Sequence, residues 1–188
     1  MNNSFRGLFT AIITPFHDGQ IDYAALEKIV ENQIKSGVDG IVPLGSTGES
    51  ATLSPSEHET VIKRVIDIVD GRIAVIAGAG SNSTSEAIEY SQNAENDGAD
   101  AILSIVPYCN KPSQRGIIAH FNAIAESIEI PMILYNIPGR TGVYMEPETV
   151  IQLSQNAKIV GVKDASSNMP DIQKVINESA SGFSVLSG

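Results

Sequence analysis

Short apolar runs alternate with amphipathic stretches along this whole chain, and that alternation restricts the fold more than any other feature. Strand-like runs lie at residues 8–14, 40–44, 73–77, 101–106, 132–136, 159–163 and 183–186. Between them, residues 23–35, 57–69, 86–96, 117–127 and 147–155 repeat apolar side chains at helical spacing. Near-continuous apolar strands separated by helices bury both faces of a parallel sheet. Helix boundaries carry signals of their own. Ser54-Pro55-Ser56-Glu57 reads as a capping box with proline at the first helical position, and Ser83-Thr84-Ser85-Glu86 repeats the box. Gly37, Gly71 and Gly98 follow predicted helix ends, where left-handed backbone stops a helix.

Seven evenly spaced strands leave two architectures, a doubly wound sheet and a (β/α)8 barrel. A dinucleotide-binding doubly wound sheet places G-x-G-x-x-G after an early strand. Gly78-Ala79-Gly80-Ser81-Asn82-Ser83 lacks the third glycine. A barrel takes about 250 residues, and this chain of 188 reaches only the seventh strand. The expectation is therefore an α/β TIM barrel truncated after strand seven. Residues 1–188 would form one incomplete barrel domain without the eighth strand and the C-terminal helices.

Composition narrows the function. A net charge of −10 argues against nucleic acid or an anionic membrane surface as partner. No apolar run approaches a membrane span. Residues 7–13 are apolar, but Pro15, His17 and Asp18 follow without a small-residue cleavage site, so the segment reads as a first strand. Cys109 is the only cysteine, which rules out an internal disulfide and fits the reducing cytoplasm.

Three loops at strand carboxyl ends carry the candidate chemistry, where barrel enzymes place it. In Gly45-Ser46-Thr47-Gly48-Glu49, two glycines around two hydroxyls let backbone N–H groups line up toward a small anion. The same residues also suit a plain turn into the next helix. In the segment from Tyr135 to Gly142, a tyrosine able to shuttle protons precedes Arg140, which can grip a carboxylate with two parallel bonds. A core-edge tyrosine and a solvated arginine are the alternative. Lys163 closes an apolar run. A lysine desolvated there loses its charge and attacks carbonyls, whereas one emerging into solvent would pair with Asp164.

The segments GSTGES, ATLS, YNIPGRTG and VGVKDAS, with LFTAIITPF, VIAGAGSN and PYCNKPSQ, closely resemble the class I pyruvate-dependent aldolase family. That family takes in N-acetylneuraminate lyases and dihydrodipicolinate synthases, and the resemblance runs from about Gly7 to Gly188. Arg140 in P-G-R-T-G matches the synthase branch. The resemblance implies that Lys163 forms a Schiff base with pyruvate, Tyr135 relays protons, and Ser46 holds the hydroxyl position that hydrogen-bonds Tyr135. Thr47 would bind the pyruvate carboxylate, and Arg140 the carboxylate of L-aspartate 4-semialdehyde. The product would be 4-hydroxy-tetrahydrodipicolinate, in lysine and diaminopimelate biosynthesis, with no metal or organic cofactor. It also implies a homo-oligomer, a dimer of dimers, and feedback inhibition by L-lysine at Ser50, Ala51, His58, Asn82, Glu86 and Tyr108.

Two positions depart from the family pattern. Cys109 stands where the synthases carry a second tyrosine of the proton relay, and a thiol is a shorter, weaker donor. Pro55 stands where inhibitable bacterial members have a histidine of the lysine pocket. Two other readings remain at this point: a related Schiff-base lyase or aldolase acting on another 2-oxo acid, and a non-catalytic chain that only binds a ligand.

Overall fold

A computed structural model describes residues 5–188. Its elements run β1 (Phe9–Ala11), β2 (Phe16–His17), β3 (Gln20–Ile21), α1 (Tyr23–Lys35), β4 (Gly40–Val42), α2 (Pro55–Val69), β5 (Ala74–Gly78), α3 (Thr84–Asp97), β6 (Ala101–Ile105) and α4 (Gln114–Glu126). There follow β7 (Met132–Asn136), α5 (Pro138–Thr141), α6 (Pro147–Leu153), β8 (Ile159–Asp164), α7 (Met169–Glu178) and β9 (Ser184–Ser187). Two single-turn 3₁₀ segments, Ser46–Gly48 and Ser50–Thr52, connect β4 to α2.

The main sheet has the order β1-β4-β5-β6-β7-β8-β9, every neighbour parallel. Strands follow one another without the reversal of order that a doubly wound sheet requires. Two apolar layers explain the shape. On the outer face, Leu26 and Val30 of α1, Val61 and Val65 of α2 and Phe121 of α4 meet Ile41, Ile102 and Val162 of the strands. Each such fully buried side chain contributes roughly 1.5–3 kcal/mol. On the inner face, Val42, Ile76, Leu103, Ile133, Tyr135 and Val160 cluster with Phe9 and Leu186, so all seven strands contribute and no helix does. Ile76 is 2% and Ile133 1% exposed. With no helix over them, these side chains are covered because the sheet curls into a barrel wall.

Several elements differ in extent from the sequence reading. The first strand is three residues rather than seven: the Ile12 N–H still reaches the Val42 carbonyl, then the chain leaves the sheet and Ile13 turns outward. It enters a β2–β3 hairpin through Asp18 and Gly19, both left-handed at φ 48° and 76°, the pairing that a two-residue hairpin favours. Helix α7 was not among the predicted stretches. Its cap is Asn168, whose side chain accepts the Asp171 N–H. The Ser54 capping box forms in full. The second box forms by half: Ser83 Oγ accepts the Glu86 N–H, but the Glu86 carboxylate takes the Ser81 hydroxyl instead of returning to Ser83. Among the described residues no helix is long and apolar enough to cross a membrane.

Candidate active site

Tyr135 and Lys163 are register partners on β7 and β8, as are Asn136 and Asp164 one residue on. Alternation along a strand sends the first pair to the barrel interior and the second to the helix side. The Lys163 Nζ lies 4.5 Å from the centroid of the Tyr135 ring, a cation–π distance. No ion pair or hydrogen bond engages the ammonium among the described residues. Asp164, the partner a solvent-facing lysine would have used, gives its oxygens to Asn136 and Ser166. Burial depresses the Lys163 amine below its ordinary range, and the positive charge of Arg140 adds to the effect. Burial pushes the Tyr135 phenol up, while Arg140 and the nearby Ser46 hydroxyl pull it back. Ser46 and Tyr135 are close without meeting hydrogen-bond geometry.

The loop after β4 is shaped by close backbone approaches. Leu44 and Glu49 adopt left-handed conformations, φ 52° and 56°, and bracket the turn at Ser46–Gly48. Thr14 Oγ1 donates to the Gly48 carbonyl at 2.7 Å and ties the loop to the chain beyond β1. At the start of the turn, the Ser46 and Thr47 N–H groups have no carbonyl of their own loop to bond, as helix starts leave them. Thr47 itself is exposed and does not line the cavity described next. A Cβ on Gly78 would sit 2.1 Å from the Leu44 carbonyl oxygen, and one on Gly80 2.3 Å from the Ile105 nitrogen. These two glycines allow neighbouring strand ends to close on each other rather than cradling a dinucleotide.

At the carboxyl ends of β4 to β7 lies a cavity of about 600 Å³, lined among others by Ser46, Glu49, Tyr108, Cys109, Tyr135 and Arg140. Lys163 is not in its wall; its Nζ meets the ring of Tyr135, which is. Arg140 rides on α5, a single turn started by Pro138 and stopped by Gly142 in left-handed conformation at φ 67°. Cys109 is exposed and left-handed at φ 66°, so this departure from the family pattern presents a free thiol to the cavity.

A second cavity of about 170 Å³ adjoins the first and shares Ser50, Ala51, Gly80 and Tyr108 with it. Pro55, His58, Glu86 and Tyr90 complete much of its wall. His58, on α2, is only 3% exposed. Its Nε2–H donates to the Gly78 carbonyl at 3.0 Å, which leaves Nδ1 as the acceptor. Burial lowers its pKa to about 4 against the pull of the Gly78 carbonyl and Glu86. Its ring stacks on Tyr90 at 4.2 Å. Tyr90 escaped the sequence reading although it lies one helical turn beyond Glu86. Of the six predicted lysine-pocket residues, Asn82 alone stays out of the wall: its amide donates to the Tyr108 carbonyl at 3.1 Å, and its own carbonyl accepts from Asn110.

Comparison with known proteins places this geometry in a family. The 4-hydroxy-tetrahydrodipicolinate synthase of Leptospira biflexa serovar Patoc is 52% identical over 184 residues, 98% of this chain and 63% of that protein. The dihydrodipicolinate synthase of Acinetobacter baumannii, solved in complex with pyruvate, superposes with a TM-score of 0.94 at 47% identity over 97% of this chain and 63% of its own. The DHDPS of Cyanidioschyzon merolae, solved with lysine bound, gives 0.94 at 44% identity over 96% and 62%. The chain thus spans about 63% of the length of the curated relatives it matches. The model of the dihydrodipicolinate synthetase family matches residues 4–188. Nearly the whole sequence, the barrel wall and the loops that meet at its carboxyl end agree in this, and the chain belongs to that family.

Proposed function

We propose that this chain carries the imine-forming site of a 4-hydroxy-tetrahydrodipicolinate synthase, a lyase that condenses pyruvate with L-aspartate 4-semialdehyde. The observation behind the proposal is the Lys163–Tyr135 pair: an amine with a depressed pKa, free of any carboxylate, held 4.5 Å from a buried tyrosine ring. The neutral Lys163 amine adds to the pyruvate ketone and water leaves, forming the protonated imine. The methyl carbon then loses a proton, and the electron pair enters the imine to form an enamine. That carbon attacks the semialdehyde carbonyl, whose oxygen takes a proton and becomes the hydroxyl. The semialdehyde's amino group closes the ring on the imine carbon and releases Lys163. One water is lost overall. The protonated imine is the electron sink, so the scheme uses no metal or organic cofactor.

The remaining roles follow from position. Tyr135 passes protons, with Ser46 beside it and Cys109 at the mouth. The unbonded N–H groups of Ser46 and Thr47 suit the pyruvate carboxylate, and Arg140 suits the carboxylate of the semialdehyde. The reading includes a cytoplasmic setting and assembly as a dimer of dimers, to be checked by sedimentation of the purified protein. Borohydride trapping tests the core of the proposal. With pyruvate, intact mass should show one reduced adduct, and Lys163→Ala should abolish it. An adduct that persists on Lys111 or Lys158 would sink the assignment.

The second cavity favours a further reading, inhibition by L-lysine. Glu86 offers a carboxylate to an ammonium, while His58 Nδ1 and the Tyr108 side chain offer polar contacts. Because Tyr108, Ser50 and Ala51 face both cavities, a ligand in the smaller one touches the wall of the larger.

A further inference from the structure

Behind the site, on the helix side of the sheet, the two strands that carry Tyr135 and Lys163 are bridged by a buried amide. Asn136 is 1% exposed. Its nitrogen donates to Asp164 Oδ2 at 3.0 Å and to the Met145 carbonyl at 3.3 Å, and its oxygen accepts the Met145 N–H at 3.2 Å. The other Asp164 oxygen accepts from the Ser166 N–H at 2.8 Å and from the Ser166 hydroxyl at 2.5 Å. Acceptors on one side and a donor on the other leave the amide a single orientation.

The β7–β8 ladder is irregular at its other end. Its register shifts between Met132 and Ile133: Met132 faces Ile159 but Ile133 faces Gly161, so Val160 is an extra residue. The bulge leaves one residue unpaired and disrupts the ladder locally, and a slip of one residue would turn Lys163 from the barrel interior to the helix side. The side-chain bond between Asn136 and Asp164 sits at the far end of the same ladder and fixes the pairing of Tyr135 with Lys163. The two-point hold on Met145 closes the segment between β7 and α6, which carries Arg140.

We infer that Asn136 is a positioning residue for imine formation, holding Lys163, Tyr135 and the Arg140 segment in one arrangement through its bonds to Asp164 and Met145. This rests on the reading of Lys163 as the imine-forming amine. Asn136 touches none of the reacting groups and acts through its neighbours.

The test is the rate and pH profile of borohydride-trapped pyruvate adduct, read by intact mass. Asn136→Asp keeps the shape but sets two carboxylates together with no donor between them. The adduct rate should fall about tenfold or more. The pH profile should also move upward, because a displaced amine leaves the surroundings that favour its neutral form. Those surroundings are the buried wall, Tyr135 from β7 and Arg140 from α5; β9, on the other side, contributes no titratable group. Asn136→Asp combined with Asp164→Asn restores a donor–acceptor pair between the two strands with the roles exchanged, though not the bond to the Met145 carbonyl, and should recover part of the lost rate. A thermal melt accompanies each variant. If Asn136→Asp does not fold, Asp164→Ala cuts the same bridge and leaves the hold on Met145. Unchanged rate and profile after either cut overturns the inference. No adduct in the unaltered protein overturns instead the reading of Lys163.

Discussion

Arg140 acts on its neighbours through charge before it meets any substrate. Its guanidinium favours the neutral form of Lys163 and the ionised form of Tyr135. Arg140→Ala should therefore spare the pyruvate adduct but move the pH profile of its formation upward. It should lower kcat/KM for the semialdehyde by about 1.5–3 kcal/mol, roughly ten- to hundredfold. Steady-state kinetics with each substrate varied in turn checks both; an unchanged semialdehyde kcat/KM rules out the carboxylate role. Lys163 and Arg140 were legible in the sequence because a lysine closing an apolar strand and an arginine in a Pro-Gly-rich turn both break the local pattern. Thr47 and Asn82 show the limit of that legibility. Each falls in a telling motif, yet one side chain faces solvent and the other is spent on the Tyr108 carbonyl, outcomes decided by loop geometry.

Elements place these residues through contacts that periodicity hints at without specifying. The capping serine of α2 and the apolar stripe of α1 could be read in advance; the carbonyl that receives His58 could not. His58 on α2 and His120 on α4 are both buried, and burial holds each near a pKa of about 4, below the ordinary 6.5. The unfolded chain binds protons on these rings between those values, and the folded chain does not. Their contribution is complete above about pH 6.5 and is lost as pH falls toward 4, on the order of 2–3 kcal/mol for each ring. Urea midpoints at about pH 7 and pH 4.5 should differ more for the unaltered protein than for His58→Gln with His120→Gln. Equal differences would refute the linkage. Gly78 is a second case. With the Leu44 carbonyl 2.1 Å from where a methyl would stand, Gly78→Ala should cost about 1–3 kcal/mol in urea unfolding. No loss would mean that the β4 and β5 ends yield without strain.

At the scale of the whole molecule, the two cavities share a wall, and that sharing makes regulation testable. Synthase activity of the protein titrated with L-lysine should fall, and Glu86→Ala should abolish the response while leaving the pyruvate adduct intact. Inhibition that survives Glu86→Ala, or no inhibition at millimolar lysine, removes this cavity from the account. The sequence by itself determined the alternation of strand and helix, the seven parallel strands, the loops at their carboxyl ends and the family, because periodicity, caps and short motifs are local properties of the chain. Only the tertiary structure decided that Lys163 meets the Tyr135 ring, that Cys109 opens on the cavity, that Tyr90 joins His58, and that Asn136 bridges to Asp164. Those contacts join residues tens of positions apart. Curling of the sheet and the register of its strands bring them together, and both arise from packing of the barrel interior as a whole.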